Sequence, residues 1–188
     1  MMVTSPINSP TKDLPCSFCD RWAVDRRGYH HLVCSGKNCL FHYRHRLVVE
    51  AFANVARLAH SSAIVDAKGI TCLGTKEVNR ITHLRPADVL VIMEGDNNSQ
   101  LAVDVTIVNG DVSEAALGKI DKHEAACIKN EFEFSPFALD TRGMLDKTGV
   151  YLLQRIASGY AQRQRKSYSE AMSIVKRRIS CALFNGIG

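Results

Sequence analysis

The stretch from residue 85 to 108 constrains this chain more than any other. Arg85-Pro86-Ala87-Asp88-Val89-Leu90 is followed, after a polar gap, by Leu101-Ala102-Val103-Asp104-Val105-Thr106-Ile107-Val108. Both apolar runs are rich in β-branched residues and bounded by Gly, Asp, Asn and Ser, so they read as neighbouring buried strands, paired as a hairpin with 94–100 as the turn. Asp is depleted from strands, and Asp104 in the middle of such a run has a propensity cost that a function or a partner must offset. Asp88 and Asp104 would then stand at adjacent strand ends as the hard oxygen donors that a divalent cation takes. The plainer alternative is a turn acid and a strand-edge acid bonded to backbone amides.

The rest of the chain supplies elements to build around that hairpin. Between Arg44 and Ala59, the residues Leu47, Val48, Ala51, Phe52, Val55, Ala56 and Leu58 recur with helical spacing, and Glu50 lies within the pattern. Short apolar runs at 63–65 and 69–73 suggest further strands. Ser113 to Asn130 reads as a helix that starts at a Ser cap with Glu114 in its first turn, and Phe132 to Leu139 as another strand, ending in Asp140-Thr141-Arg142-Gly143. Asp140 there has the place of a turn former, and His123 that of an exposed helix residue. Two more helices follow, over 145–164 and 169–184. The order predicts an α/β fold with a mixed central sheet flanked by helices. A chain of 188 residues, 46% hydrophobic and 23% charged, can bury one core with a small appendage. The expected division is a flexible leader over 1–15, rich in Ser, Thr, Pro and Asn, a zinc-binding segment over 16–43, and the main domain over 44–188.

The appendage carries Cys16, Cys19, His30, His31, Cys34, Cys39, His42 and His45. Cys16-x2-Cys19 has the spacing of a zinc knuckle, and His30-x3-Cys34 is the first choice to close a Cys3His site for structural Zn²⁺; Cys39 and His42 form the competing pair. Seven cysteines, an odd number, suit thiols kept reduced, hence an intracellular protein of nucleus or cytoplasm. The chain has no apolar run of about 18 residues to span a bilayer and no secretory signal at its start, so no membrane partner is expected. A net charge of +5 permits a polyanionic partner. Arg155, Arg163, Arg165, Lys166, Lys176, Arg177 and Arg178, with Tyr160 and Tyr168 interleaved, would supply phosphate contacts and stacking, against the blander reading of solvated helix faces. Arg21, Arg26 and Arg27 form a second basic cluster.

Helix, strands, helix, strand, helices is the element order of restriction-endonuclease-like nucleases, and Arg85-Pro86-Ala87-Asp88 with Asp104-Val105-Thr106 resembles the PD-(D/E)xK superfamily. More narrowly, the series Gly28-x-His30-x3-Cys34, Arg44-His45, Arg85-Pro86-Ala87-Asp88-Val89-Leu90, Asp104-Val105-Thr106, Lys119-x2-Lys122 and Phe134-x-Pro136-Phe137 is similar to the C-terminal endonuclease region of non-LTR retrotransposon polyproteins. The resemblance implies a metal-dependent DNA endonuclease. Asp88 and Asp104, with a backbone carbonyl such as that of Val105, would hold Mg²⁺ or Mn²⁺. Thr106 stands where the superfamily has lysine, and a helix-borne Lys119 or Lys122, three residues apart on one face, would substitute for it. Glu50 resembles the auxiliary acid of the first helix. Partners implied are DNA and a homodimer or larger nucleoprotein complex. The alternative is a nuclease-fold module that binds nucleic acid or assists assembly without cutting, and a weaker third reading is a purely structural zinc protein.

Overall fold

A computed structural model describes residues 15, 16, 19, 34, 40–59, 62–66, 73–77, 80–84, 87–93 and 99–185. The leader over 1–14, Arg21, Arg26, Arg27, His30, His31, Cys39, Arg85, Pro86 and the turn residues 94–98 lie outside the described residues. The elements are α1 (Leu40–Ala59), β1 (Ser62–Val65), β2 (Leu73–Glu77), β3 (Arg80–Leu84), β4 (Val89–Ile92), β5 (Gln100–Val108), α2 (Val112–Lys129), β6 (Glu133–Asp140), α3 (Lys147–Gln164) and α4 (Tyr168–Asn185).

Four strands form one mixed sheet in the order β1-β4-β5-β6, while β2 and β3 pair as a separate hairpin. β4 runs antiparallel to both β1 and β5. β5 and β6 are parallel, from Leu101 opposite Glu133 to Val108 opposite Asp140. A parallel pair cannot be joined by a tight turn, and α2 makes the crossover between them. Strand alternation then sorts the side chains of β5. Leu101, Val103, Val105 and Ile107 enter the main core with Val48, Phe52 and Val55 of α1, Leu152 and Ile156 of α3, and Val175 and Ile179 of α4. Ala102 faces the other way, into a smaller cluster with Leu90, Phe134 and Cys127. Asp104 and Thr106 share the parity of Ala102, so they point to the side of the sheet that α2 covers. The fold is therefore α/β, a four-stranded mixed sheet flanked by helices.

Several elements differ from the sequence reading in ways that have local causes. α1 begins at Leu40 rather than Arg44, inside the segment assigned to zinc. α2 is capped by Asp111 rather than by Ser113: the Asp111 carboxylate accepts from Ser113 N at 2.8 Å and Glu114 N at 3.4 Å, filling two donors that a helix start leaves open. His123, expected to be exposed, is buried at 3% exposure. Seven residues after Ala116 and four before Cys127, it lies on the buried stripe of α2, and its ring packs against Phe134 with centroids 5.9 Å apart. Among the described residues no helix is long and apolar enough to cross a membrane.

Asp140, at the end of β6, is a turn former as its sequence context predicts. Its carboxylate accepts from Arg142 N at 2.8 Å and Met144 N at 2.8 Å, with Arg142 Nε at 3.0 Å. Burial would raise its pKa, but the backbone hydrogen bonds and the Arg142 charge outweigh that and hold it below the usual carboxylate value. A carboxyl whose folded pKa is depressed contributes stability above its unfolded pKa and loses it as pH falls through the folded one. Asp140→Ala should therefore cost about 3 kcal/mol at neutral pH, since it strands two amides, while mostly exposed Arg142 adds little. Chemical denaturation at pH 7 and below pH 4 checks this: the gap from wild type narrows in acid, and a gap independent of pH would refute the assignment.

Candidate functional site

Asp88 stands just before β4, where two backbone bonds fix it. Its N–H donates to Val103 O at 2.9 Å, and its carbonyl accepts from Asp66 N at 2.9 Å. The side chain reaches across to β5, where Oδ2 accepts from Val105 N at 2.9 Å. Asp104 lies on the adjacent strand, 6% exposed. A nearly buried carboxylate needs polar partners, and Asp104 has two among the described residues. Thr106 Oγ1 donates to Asp104 Oδ2 at 3.1 Å, and Lys119 Nζ lies 2.7 Å from the same oxygen. Lys119 is delivered by α2, three residues after buried Ala116 and four before buried His123, so its half-buried stem runs along the helix face turned to the sheet.

Of the two lysines, Lys119 makes this contact. Lys122 is exposed, and no ion pair joins it to either aspartate among the described residues. Glu50 is not brought to the site. It is exposed in register with Asn54 and Arg57 and lines a groove of about 430 Å³ between α1 and α4, beside Arg177, Arg178 and Cys181. The residue of α1 that does reach the strand ends is His45, five positions earlier and so about 140° around the helix. His45 Nε2 is 2.9 Å from Val105 O and 3.4 Å from Asp88 Oδ2. Burial alone would favour the neutral ring. The hydrogen bond and charge of Asp88, the Val105 carbonyl and the charge of Asp104 together raise its pKa above the usual histidine value. The sequence reading counts His45 among the Cys and His residues of the zinc segment and in the Arg44-His45 motif without giving it a place beside the aspartates, although its register offers a signal. It stands three residues before buried Val48 and seven before buried Phe52, a polar ring on the apolar stripe.

His123 sits close behind the site. Burial holds its pKa below the usual value, with Lys122 and Lys119 acting the same way and Asp104 opposing, so the ring stays neutral. Its Nδ1 has no hydrogen-bond partner among the described residues.

The donor set suits a hard divalent cation. Both aspartates bind protein groups through Oδ2, and neither Oδ1 makes a hydrogen bond or ion pair among the described residues. The Val105 carbonyl lies beside Asp88, within reach of the same imidazole. The four side chains and this carbonyl thus combine carboxylate oxygens, one cation and one imidazole where the start of β4 meets the middle of β5.

A second cluster has softer donors. Cys16, Cys19 and Cys34 hold their sulfurs within 4.8 Å of one another, the one group of three or more Cys, His, Asp or Glu among the described residues to come so close. Cys16 Sγ and Cys34 Sγ are 3.8 Å apart, far beyond a disulfide bond and equal to the edge of a tetrahedron of thiolates about 2.3 Å from one zinc. Three such cysteines could hold a metal such as zinc. The cluster packs beside Phe41 at the start of α1. His42 is exposed and stands apart from it, and His30 and Cys39 lie outside the described residues.

No family model, curated protein or solved structure matches the chain. The cations expected to meet phosphate are distributed over two helices. Arg163 and Arg165 lie at the end of α3, with Arg165 its left-handed C-cap. Lys166 pairs with Glu170. Lys176, Arg177 and Arg178 are consecutive and exposed on α4, so they fan around the helix rather than sharing one face. Arg155 is bound to Glu133 at 2.6 Å.

Proposed function

We propose that this chain is a divalent-metal-dependent DNA endonuclease with a restriction-endonuclease-like fold, of the kind found in non-LTR retrotransposon polyproteins, stabilised by a structural zinc. The observation that carries the reading is the contact of Lys119 with Asp104 at 2.7 Å, beside Asp88 on the next strand. A lysine missing from the strand position held by Thr106 is supplied by the crossover helix. The sequential strand order and the helix between the parallel strands agree with the element order from which the resemblance was drawn. Asp88 and Asp104, with the Val105 carbonyl, are the residues that would hold Mg²⁺ or Mn²⁺.

A bound divalent cation would polarise a scissile phosphate and lower the pKa of a water beside it. The protein's own groups have separate tasks. Thr106 fixes the Asp104 carboxylate through Oδ2, which leaves Oδ1 as the ligand oxygen. Lys119 is placed to stabilise the negative charge that grows on the phosphate during attack. Val105 N–H orients the Asp88 carboxylate through Oδ2, whose remaining lone pair stays available. The exposed cations of α3 and α4, namely Arg163, Arg165, Lys166, Lys176, Arg177 and Arg178, would give sequence-independent phosphate contacts.

Labelled linear, flapped and branched DNA, with matched RNA, incubated with Mg²⁺ or Mn²⁺, tests the reading against Asp104→Asn. Cleavage of DNA that needs metal and falls at least about 10³-fold in the variant, with binding unchanged, is the expected result. Binding without cleavage of any substrate would replace it with the non-catalytic module.

A further inference from the structure

The Lys119–Asp104 pair leaves the role of His45 open, and its position is specific. One nitrogen, Nε2, stands 2.9 Å from Val105 O and 3.4 Å from Asp88 Oδ2. Two of the three protein donors assigned above to the cation are therefore next to a third donor of a different chemical class. Adjacent ligands of a six-coordinate ion about 2.1 Å from each donor are about 3 Å apart, so Nε2 already stands near that separation from Val105 O and from Asp88 Oδ2. The ring is held there by α1, whose buried face carries Val48 and Phe52 into the core, and its orientation is thus set by the packing of the whole helix.

We propose that His45 is a nitrogen ligand of the Asp88–Asp104 cation, and that this ligand biases the site toward first-row transition ions such as Mn²⁺ over Mg²⁺. The proposal rests on the metal-site reading above. Binding uses the Nε2 lone pair and leaves the ring proton on Nδ1; the hydrogen bond from Nε2 to Val105 O is replaced by shared coordination. Imidazole is a good donor to first-row transition ions, whereas Mg²⁺ keeps oxygen ligands and water. A site of two carboxylates and a carbonyl alone would lack this preference. Lys119 does not compete, because its contact is with Asp104 and not with the oxygen beside His45.

The test uses the full chain, loaded first with zinc so that the cysteines are satisfied, and Mn²⁺ as the probe. Electron spin echo spectra of bound Mn²⁺ should show modulation from a directly bound imidazole nitrogen that changes on ¹⁵N-histidine labelling and vanishes in His45→Gln. Gln keeps an amide donor for Val105 O, and His45→Asn serves as a second variant should Gln not fold. By calorimetry, His45→Gln should weaken Mn²⁺ about tenfold and leave Mg²⁺ within about threefold. Asp88→Asn should weaken both. Mn²⁺ that binds in an Asp88-dependent manner without nitrogen modulation would overturn the role of His45 and leave the metal site standing. Mn²⁺ binding indifferent to both Asp88→Asn and Asp104→Asn would overturn the site itself.

Discussion

Lys119→Met should lower DNA cleavage about 10²- to 10³-fold, while Lys122→Met stays within about threefold of wild type. The sequence places both lysines on one helical face, but the structure separates them. Lys119 Nζ is 2.7 Å from Asp104 Oδ2, and Lys122 is exposed one residue away from buried His123. Methionine preserves the length and apolar stem of lysine, so the packing of α2 on the sheet is retained and the charge alone is lost. The variant also leaves nearly buried Asp104 with one protein donor, Thr106. Because Lys119 is itself partly solvated, the stability cost is modest, about 1–2 kcal/mol, too small to unfold the chain. Single-turnover cleavage with saturating metal measures the chemical step apart from metal affinity. Equal losses in both variants, or a loss only in Lys122→Met, would remove Lys119 from the mechanism.

The second large effect concerns the cysteine cluster. Purified chain should carry about one zinc, measured by elemental analysis, and Cys34→Ser should lose it. The loss should be accompanied by a fall in thermal stability of many degrees, because apparent binding free energies of structural zinc reach about 10 kcal/mol or more and are available only to the folded state. The cluster adjoins Phe41 of α1, four residues before His45, so a metal bound there would steady the start of the helix that carries His45. A strong chelator added to wild type should reproduce the fall, and excess Zn²⁺ should reverse it. Cys127→Ser is the contrasting control. Burial and nearby Glu124 push that thiol up to about 11, and it lies outside the Cys16–Cys19–Cys34 cluster. Full zinc content in Cys34→Ser would sink the assignment.

What the sequence discloses is what periodicity and spacing encode. The β4–β5 hairpin, the helix α2 and the strand β6 are legible because alternating or β-branched runs punctuated by Gly, Asp and Asn have few other readings. The placement of Asp104 follows from the same parity that sends Val103 and Val105 into the main core. Rotation about a helix axis is harder to read when both faces carry polar groups. Glu50 resembles the auxiliary acid of the first helix, yet it shares the exposed line of Asn54 and Arg57, whereas His45 shares the buried line of Val48 and Phe52. The same kind of error hid His123, whose neighbours in sequence are charged while its neighbours in register, Ala116 and Cys127, are buried. Asp111 was missed as the cap because a Ser two residues later offered an equally good cap by type. The separate hairpin of β2 and β3 leaves no mark in apolar content, and the run at 69–73 was placed several residues too early to describe it.

The bond from Val105 N to Asp88 Oδ2 makes that carboxylate a brace between two strands, apart from the role of ligand proposed for it. Mutational drift would treat the two kinds of site residue unequally. A copy that had given up cutting would still be selected to keep an acid at position 88, because its loss exposes a strand amide with no acceptor. Lys119 has a weaker structural duty, since its partner retains Thr106. Across any lineage of such chains, then, a surviving aspartate at 88 would record only that the sheet must fold, and a surviving lysine at 119 would, on the proposed nuclease reading, speak for chemistry still in use.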